Sequence, residues 1–217
     1  WWDKIIYVPV TDLPMYDKAH IWIPENFQRN AILRGLEGKA EYGDSIIVSD
    51  LDEIPKPDAI RRHLDALGWI VFAQDLFYYF VNCQMNCRWN GPIMAKYGTF
   101  DKPQDLRNIA RGMPAGQLTK PPLSIHLDPD GGWHYSFMGG AAKVKEKVEN
   151  IAESHEIIEA VGTLEEIEQK IATQKDLWNR VDAYAQKRIV DIQTTGPKAV
   201  WKFVERYPGF YFGEKSV

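Results

Sequence analysis

Residues 46–55 read Ile-Ile-Val-Ser-Asp-Leu-Asp-Glu-Ile-Pro, and no other stretch restricts the fold as much. The apolar run predicts a strand buried on both faces, yet it ends in three carboxylates within four residues, which such a strand cannot hold. The acids are therefore expected at the carboxyl end of a central strand, in a cleft. Pro55 and Pro57 stop the strand, and Pro57 suits the first turn of a helix with Ile60, Leu64 and Leu67 on one face. Strand, acidic tip, turn and helix form an α/β arrangement that places ligands. In an extended tip Asp50 and Asp52 point to the same side and reach one divalent cation or two parts of one ligand. A solvated turn with capping acids is the competing reading of Asp-x-Asp, and the strand directly before it argues for a site.

The chain is 217 residues long, enough for one domain with a sizeable core, and its net charge of -4 argues against a general nucleic-acid or anionic-membrane binder. No apolar run approaches membrane-spanning length. Two cysteines, Cys83 and Cys87, exclude a multi-disulfide framework and a four-cysteine zinc site. Eight Trp and ten Tyr supply rigid amphipathic surfaces suited to cores and to sugar faces.

In chain order, residues 4–10 predict a strand and 24–36 a helix with Phe27, Ala31 and Ile32 inward, its Gln28-Arg29-Asn30 triplet leading towards the acidic strand. Residues 69–81 predict a strand in which Asp75 needs a partner, and 82–111 a long loop region with short elements. Residues 124–127 predict a short strand, and 128–132 a glycine turn where backbone can approach a ligand, leading into the aromatic segment 133–137. A helix after Gly140 has Val144, Val148 and Ile151 inward and Lys143, Lys145 and Lys147 mostly on a solvated face. Thr163-Leu164-Glu165-Glu166 is a capping-box start with the stripe Leu164, Ile167 and Ile171. Leu177, Val181 and Tyr184 continue helically, and 197–207 forms a last helix, so 163–217 is a helical C-terminal part of a single domain.

Taken together, Val48-Ser49-Asp50-Leu51-Asp52-Glu53-Ile54-Pro55, Phe27-Gln28-Arg29-Asn30-Ala31 before it, and Gly132-Trp133-His134-Tyr135-Ser136-Phe137 after it resemble glycosyltransferase family seventeen. That family includes the enzyme that adds the bisecting N-acetylglucosamine of N-glycans, and many bacterial relatives. The resemblance runs over nearly the whole chain and includes Trp89, Gly91 and Asp176-Leu177-Trp178-Asn179-Arg180. It implies a GT-A-like α/β fold with a mixed, mostly parallel sheet flanked by helices. It also implies a UDP-sugar donor, UDP-N-acetylglucosamine in characterised members, a glycan or glycoconjugate acceptor and a divalent metal, Mn2+ or Mg2+. Family members carry another strand before the position where this chain opens on Trp1, so the first strand of the fold is expected to be missing. A bacterial member would be cytoplasmic and a eukaryotic one in the Golgi lumen.

Those expectations assign residues. Hard oxygen ligands at a strand tip suit Mn2+ or Mg2+ gripping a diphosphate. Asp52 is assigned to the metal and Asp50 to the metal and, mainly, the ribose, with His134 as third ligand or diphosphate contact. Packing between Trp133 and Tyr135 is the equal alternative for His134. Arg29, Asn30 and Trp133 are placed on the donor side, Arg29 alternatively in a salt bridge to Glu25 or Asp58. Tyr78, Tyr79 and Trp89 border the acceptor, with at least one of the three in the core. Forming a β-linkage from an α-linked donor inverts the anomeric centre and needs a base at the acceptor hydroxyl. Asp130 is the first candidate, Glu53 the second and Glu156 the third; Asp130 reads equally as a turn former. Two other classes compete: a haloacid-dehalogenase-like phosphatase with Asp50 as nucleophile, and a carbohydrate-binding fragment without turnover.

Overall fold

The computed structural model describes residues 2–15, 20–113, 118–151, 160–180 and 187–213. Their centre is strand β3 (Trp69–Tyr78), whose β-branched and aromatic run is buried at nine of ten positions. The exception is Asp75, which accepts from Gln84 Nε2 at 2.7 Å and pairs with Arg88 at 2.9 Å.

Four further strands extend the sheet from β3: β1 (Ser45–Val48), β2 (Glu53–Pro55), β4 (Cys83–Lys96) and β5 (Ile125–Ser136), in the order β1-β4-β3-β5-β2. Strand β6 (Lys187–Ile189) also pairs with β4. The architecture is mixed α/β, but among the described residues only β3 and β5 run parallel, so the expected mostly parallel sheet is corrected to a mostly antiparallel one. The reason is connection length. Residues 79–82 turn β3 straight back into β4, which forces an antiparallel neighbour, and only the longer passage through α4 (Pro103–Ala110) delivers a parallel β5.

Nor is the strand before the acids central. β1 pairs only with β4, and β2 only with β5, so residues 49–52 carry the chain from one end of the strand order to the other.

Several sequence expectations change. Residues 82–111 are not a loop region, because β4 and α4 occupy most of them. Asn86, Arg88 and Asn90 alternate with Met85, Cys87 and Trp89 as in a strand, and the Gly91-Pro92 pair then interrupts the alternation. Residues 128–132 are not a turn either; they bulge within β5 where the register slips between Phe72 and Gln74. Residues 5–15 form no strand, Ile5, Ile6 and Tyr7 being exposed with no ladder partner. The helix from 24 to 36 is two, α1 (Ile23–Asn30) and α2 (Ile32–Leu36), broken at Ala31. Helix α3 (Pro57–Arg62) ends before Leu64 and Leu67, which are exposed.

Helix α4 covers one part of the sheet, with Leu106 and Ala110 packed on Trp69, Val71 and Ile93. Helices α5 (Ala141–Asn150) and α6 (Leu164–Ala172) cover another, burying Val144, Val148 and Ile167 against Leu76 and Tyr78. The Thr163–Glu166 capping box forms as expected. After it the chain is not wholly helical: Leu177 is buried outside any helix, β6 joins the sheet, and α7 (Ile192–Thr195) and α8 (Lys198–Arg206) come after it. Val181 and Tyr184 lie outside the described residues.

Candidate functional site

The acidic tip is held from behind by a buried ion pair. Glu53 at the start of β2 has a fully buried side chain that accepts from Arg107 NH1 at 2.8 Å, from Asp50 N–H at 2.9 Å and from Trp89 Nε1. Arg107 comes from α4, whose other face is apolar and packs on the sheet. Gly91 in β4 makes this possible, since a Cβ there would stand 2.2 Å from Glu53 Oε1. A carboxylate so engaged shapes the turn; taking the acceptor's proton would unpair a buried Arg107, which is a poor setting for a base.

Asp50 and Asp52 both reach the cleft, each already paired with cations. Asp50 accepts from Arg107 NH2 at 2.6 Å and Arg29 NH2 at 3.3 Å. Asp52 meets Lys147 Nζ at 2.5 Å and His134 Nε2 at 3.4 Å. Burial alone would push the Asp52 carboxyl up, but the hydrogen bond and charge of His134, then Lys147, pull harder and hold it well below the usual carboxylate range. Lys147 therefore leaves the solvated lysine face predicted for α5.

Two cavities meet at this tip, sharing Asp50, Asp52, Lys147 and Ile151 in their walls. The first, about 840 Å³, runs along α1 past Glu25, Gln28 and Arg29. The second, about 510 Å³, is lined by Tyr78, Trp89, Phe137 and Trp178 together with His134, Arg111 and Arg180. The structure thus brings Arg29, Asp50, Asp52, His134, Tyr78 and Trp89 to one cleft. Arg29 also makes the alternative salt bridge to Glu25, at 2.9 Å, and its other nitrogen donates to Gln104 at 2.6 Å.

Other expected residues lie elsewhere. Tyr79 is core: it is buried, and its hydroxyl donates to Lys175 O at 2.9 Å. Asn30 accepts from Gln104 N–H at 3.0 Å and joins α1 to α4. Trp133 alternates to the side opposite His134 on β5 and donates from Nε1 to Thr195 O, outside both cavities. Asp130 does not face the tip. It sits in the β5 bulge, 62% exposed, in a salt bridge to Lys56 at 2.7 Å. Gly131 and Gly132 serve strand packing, since a Cβ on Gly132 would stand 2.2 Å from Ile54 O. Glu156 lies outside the described residues.

Among the described residues no group of three His, Cys, Asp or Glu side chains could hold a metal ion. Asp52 and His134, 3.4 Å apart, offer two ligands, and the His134 Nδ1 is buried with no hydrogen-bond partner. A Mg2+ or Mn2+ ion held by this pair would need the rest of its ligands from water or a ligand's phosphates, and Lys147 already occupies the second Asp52 oxygen. Asp50 fits that role less well, having both oxygens on arginines. Arg107, Lys147 and Arg111 escape sequence reasoning because each is an ordinary helix or loop cation until the fold sets it beside a carboxylate or ring, and Arg180 enters it only within a motif, with no role attached. No family model, no curated protein and no solved structure matches the chain.

Proposed function

We propose that the chain is an inverting glycosyltransferase, moving a sugar from a UDP-sugar to a hydroxyl of a glycan, with N-acetylglucosamine as the sugar the family resemblance suggests. The observation that carries this reading is the meeting of two differently built cavities at the Asp50–Asp52 tip. A two-substrate transfer needs such a plan: a trough along α1 for the nucleotide, and a ring-lined chamber where sugar faces stack.

In this reading the UDP moiety lies in the α1 cavity, with Arg29 and Asp50 on its polar groups. Its diphosphate reaches Lys147, whose ammonium already neutralises Asp52 and can move to a phosphate oxygen. Asp52 and His134 would hold Mn2+ or Mg2+ there, and that ion, when bound, supplies Lewis-acid stabilisation of the leaving UDP. The acceptor sugar stacks in the second cavity. Of the three base candidates, Glu53 is committed to Arg107 and Asp130 faces away, so the role passes to Glu156. A phosphatase using Asp50 as nucleophile is disfavoured, because both of its oxygens would first have to leave Arg107 and Arg29.

The test is release of UDP from UDP-N-acetylglucosamine by the purified protein with Mn2+ and with chelator, for wild type and Asp52→Asn. Metal-dependent release lost in the variant, while the variant still unfolds in one cooperative transition above the assay temperature, supports the reading. Absence of release from any UDP-sugar, or equal release by the variant, rejects it.

A further inference from the structure

The second cavity has a composition that a neutral sugar does not require. Its lining cations, Arg111, Lys147 and Arg180, outnumber its carboxylates, Asp50 and Asp52, in a chain whose net charge is -4. Asp50 is neutralised from outside the cavity by Arg107 and Arg29, as Arg180 is by Asp176. Two of the cations lie on indole faces: Arg111 Cζ is 3.5 Å from the Trp89 ring centroid and Arg180 Cζ 4.9 Å from that of Trp178. A guanidinium stacked in this way turns its N–H edges sideways, where a planar oxyanion can meet them.

Arg180 is fixed in place. Asp176, whose side chain is 1% exposed, accepts from Arg180 Nε at 3.1 Å and NH2 at 2.7 Å. The same carboxylate takes the backbone N–H groups of Trp178 and Arg180, both at 3.0 Å, and so positions the ring and the cation together. Arg180 NH2 further donates to the Tyr78 hydroxyl at 3.3 Å, on the cavity wall. These four hydrogen bonds offset the cost of burying Asp176 and hold the arginine beside the aromatic ring.

We propose that this cavity binds a sugar bearing a negative charge, a carboxylate or a phosphate, with its ring against Trp89 and Trp178 and its anion against Arg111 and Arg180. That this sugar is the glycosyl acceptor rests on the function proposed above; that it binds here does not.

Ligand-observed NMR titration of the full chain with methyl β-glucuronoside, methyl β-glucoside 6-phosphate and methyl β-glucoside tests it. One charge-assisted contact makes at least one charged sugar bind about tenfold tighter than the neutral one. Arg111→Gln removes that preference while the affinity for UDP changes by less than about twofold, since the nucleotide lies in the other cavity. Arg111 is exposed, and a thermal melt of this variant checks its fold; Arg180→Gln would unpair the buried Asp176. A preference for only one charged sugar names the source of the charge and supports the proposal. Equal affinity for charged and neutral sugars, or no binding of any, overturns it. So does a parallel fall in UDP affinity in Arg111→Gln, which would assign the arginine to the donor's phosphates. Sugar binding without turnover of any UDP-sugar would sink the transferase reading and leave this one standing.

Discussion

Lys147 is the residue whose placement changes the site most, since its ammonium sits where a metal ion would meet Asp52. Replacing it with Met should tighten Mn2+ binding several-fold, on the order of the about 1 kcal/mol that a partly exposed ion pair is worth. Titration of the Mn2+ electron-resonance signal measures this, and an unchanged affinity would show that Lys147 does not compete. The depressed Asp52 carboxyl also fixes a pH dependence. Its folded pKa lies below the unfolded value, so its stabilising contribution is complete above about pH 4 and is lost as pH falls through the folded value. Denaturation curves of wild type and Asp52→Asn should therefore differ by a constant near neutrality and converge in strong acid. Glu53 and Asp130 should separate cleanly: Glu53→Ala strands buried Arg107 and costs about 3–5 kcal/mol. Asp130→Asn, at an exposed ion pair, stays within about 0.5 kcal/mol and keeps turnover. Thermal melts and UDP release read both.

At the scale of elements, the docking of β2 on β5 decides whether the tip has a floor. Pro55 lies opposite Gly132, which holds φ at +135° and has Ile54 O and Lys56 N packed against its Cα. Gly132→Ala combines a backbone region that L side chains avoid with a collision, so it should cost upwards of about 3 kcal/mol and loosen Asp52 as well. Gly112→Ala is the control, since φ is +66° there but nothing lies within 4 Å of the added carbon. It should cost only about 1 kcal/mol. Urea midpoints compare them, and equal losses would mean that the β2 contact is not what Gly132 protects.

At the scale of the whole molecule, the two cavities should be separable by kinetics. Arg29→Ala should raise the Michaelis constant for the UDP-sugar several-fold with the acceptor constant unchanged, and Trp178→Ala should do the reverse. If both variants shifted the same constant, the cavities would be serving one ligand. This layout is only partly legible in the sequence. Chain order and residue type put Arg29 and the Tyr78–Trp89 pair on opposite sides of the tip, whereas Trp178 and Arg180 belong to a motif with no position attached. Asp130 misleads because Asp-Pro-Asp-Gly-Gly has the composition of a turn, whereas the pairing of β3 with β5 runs through it as a bulge.

Features that depend on neighbouring residues alone are legible before folding. The β-branched and aromatic run of β3, the valines at helical spacing in α5, the capping box at Thr163 and the acids ending an apolar strand each satisfy a nearest-neighbour rule, and each formed. Only the tertiary structure decided strand direction, because an apolar run records burial and not the sense of its neighbour, and the short turn at 79–82 reversed it. It also decided which cation meets which carboxylate. Arg107 lies 57 residues from Asp50 and Lys147 lies 95 from Asp52, and no periodicity within a helix carries information about a partner on another element.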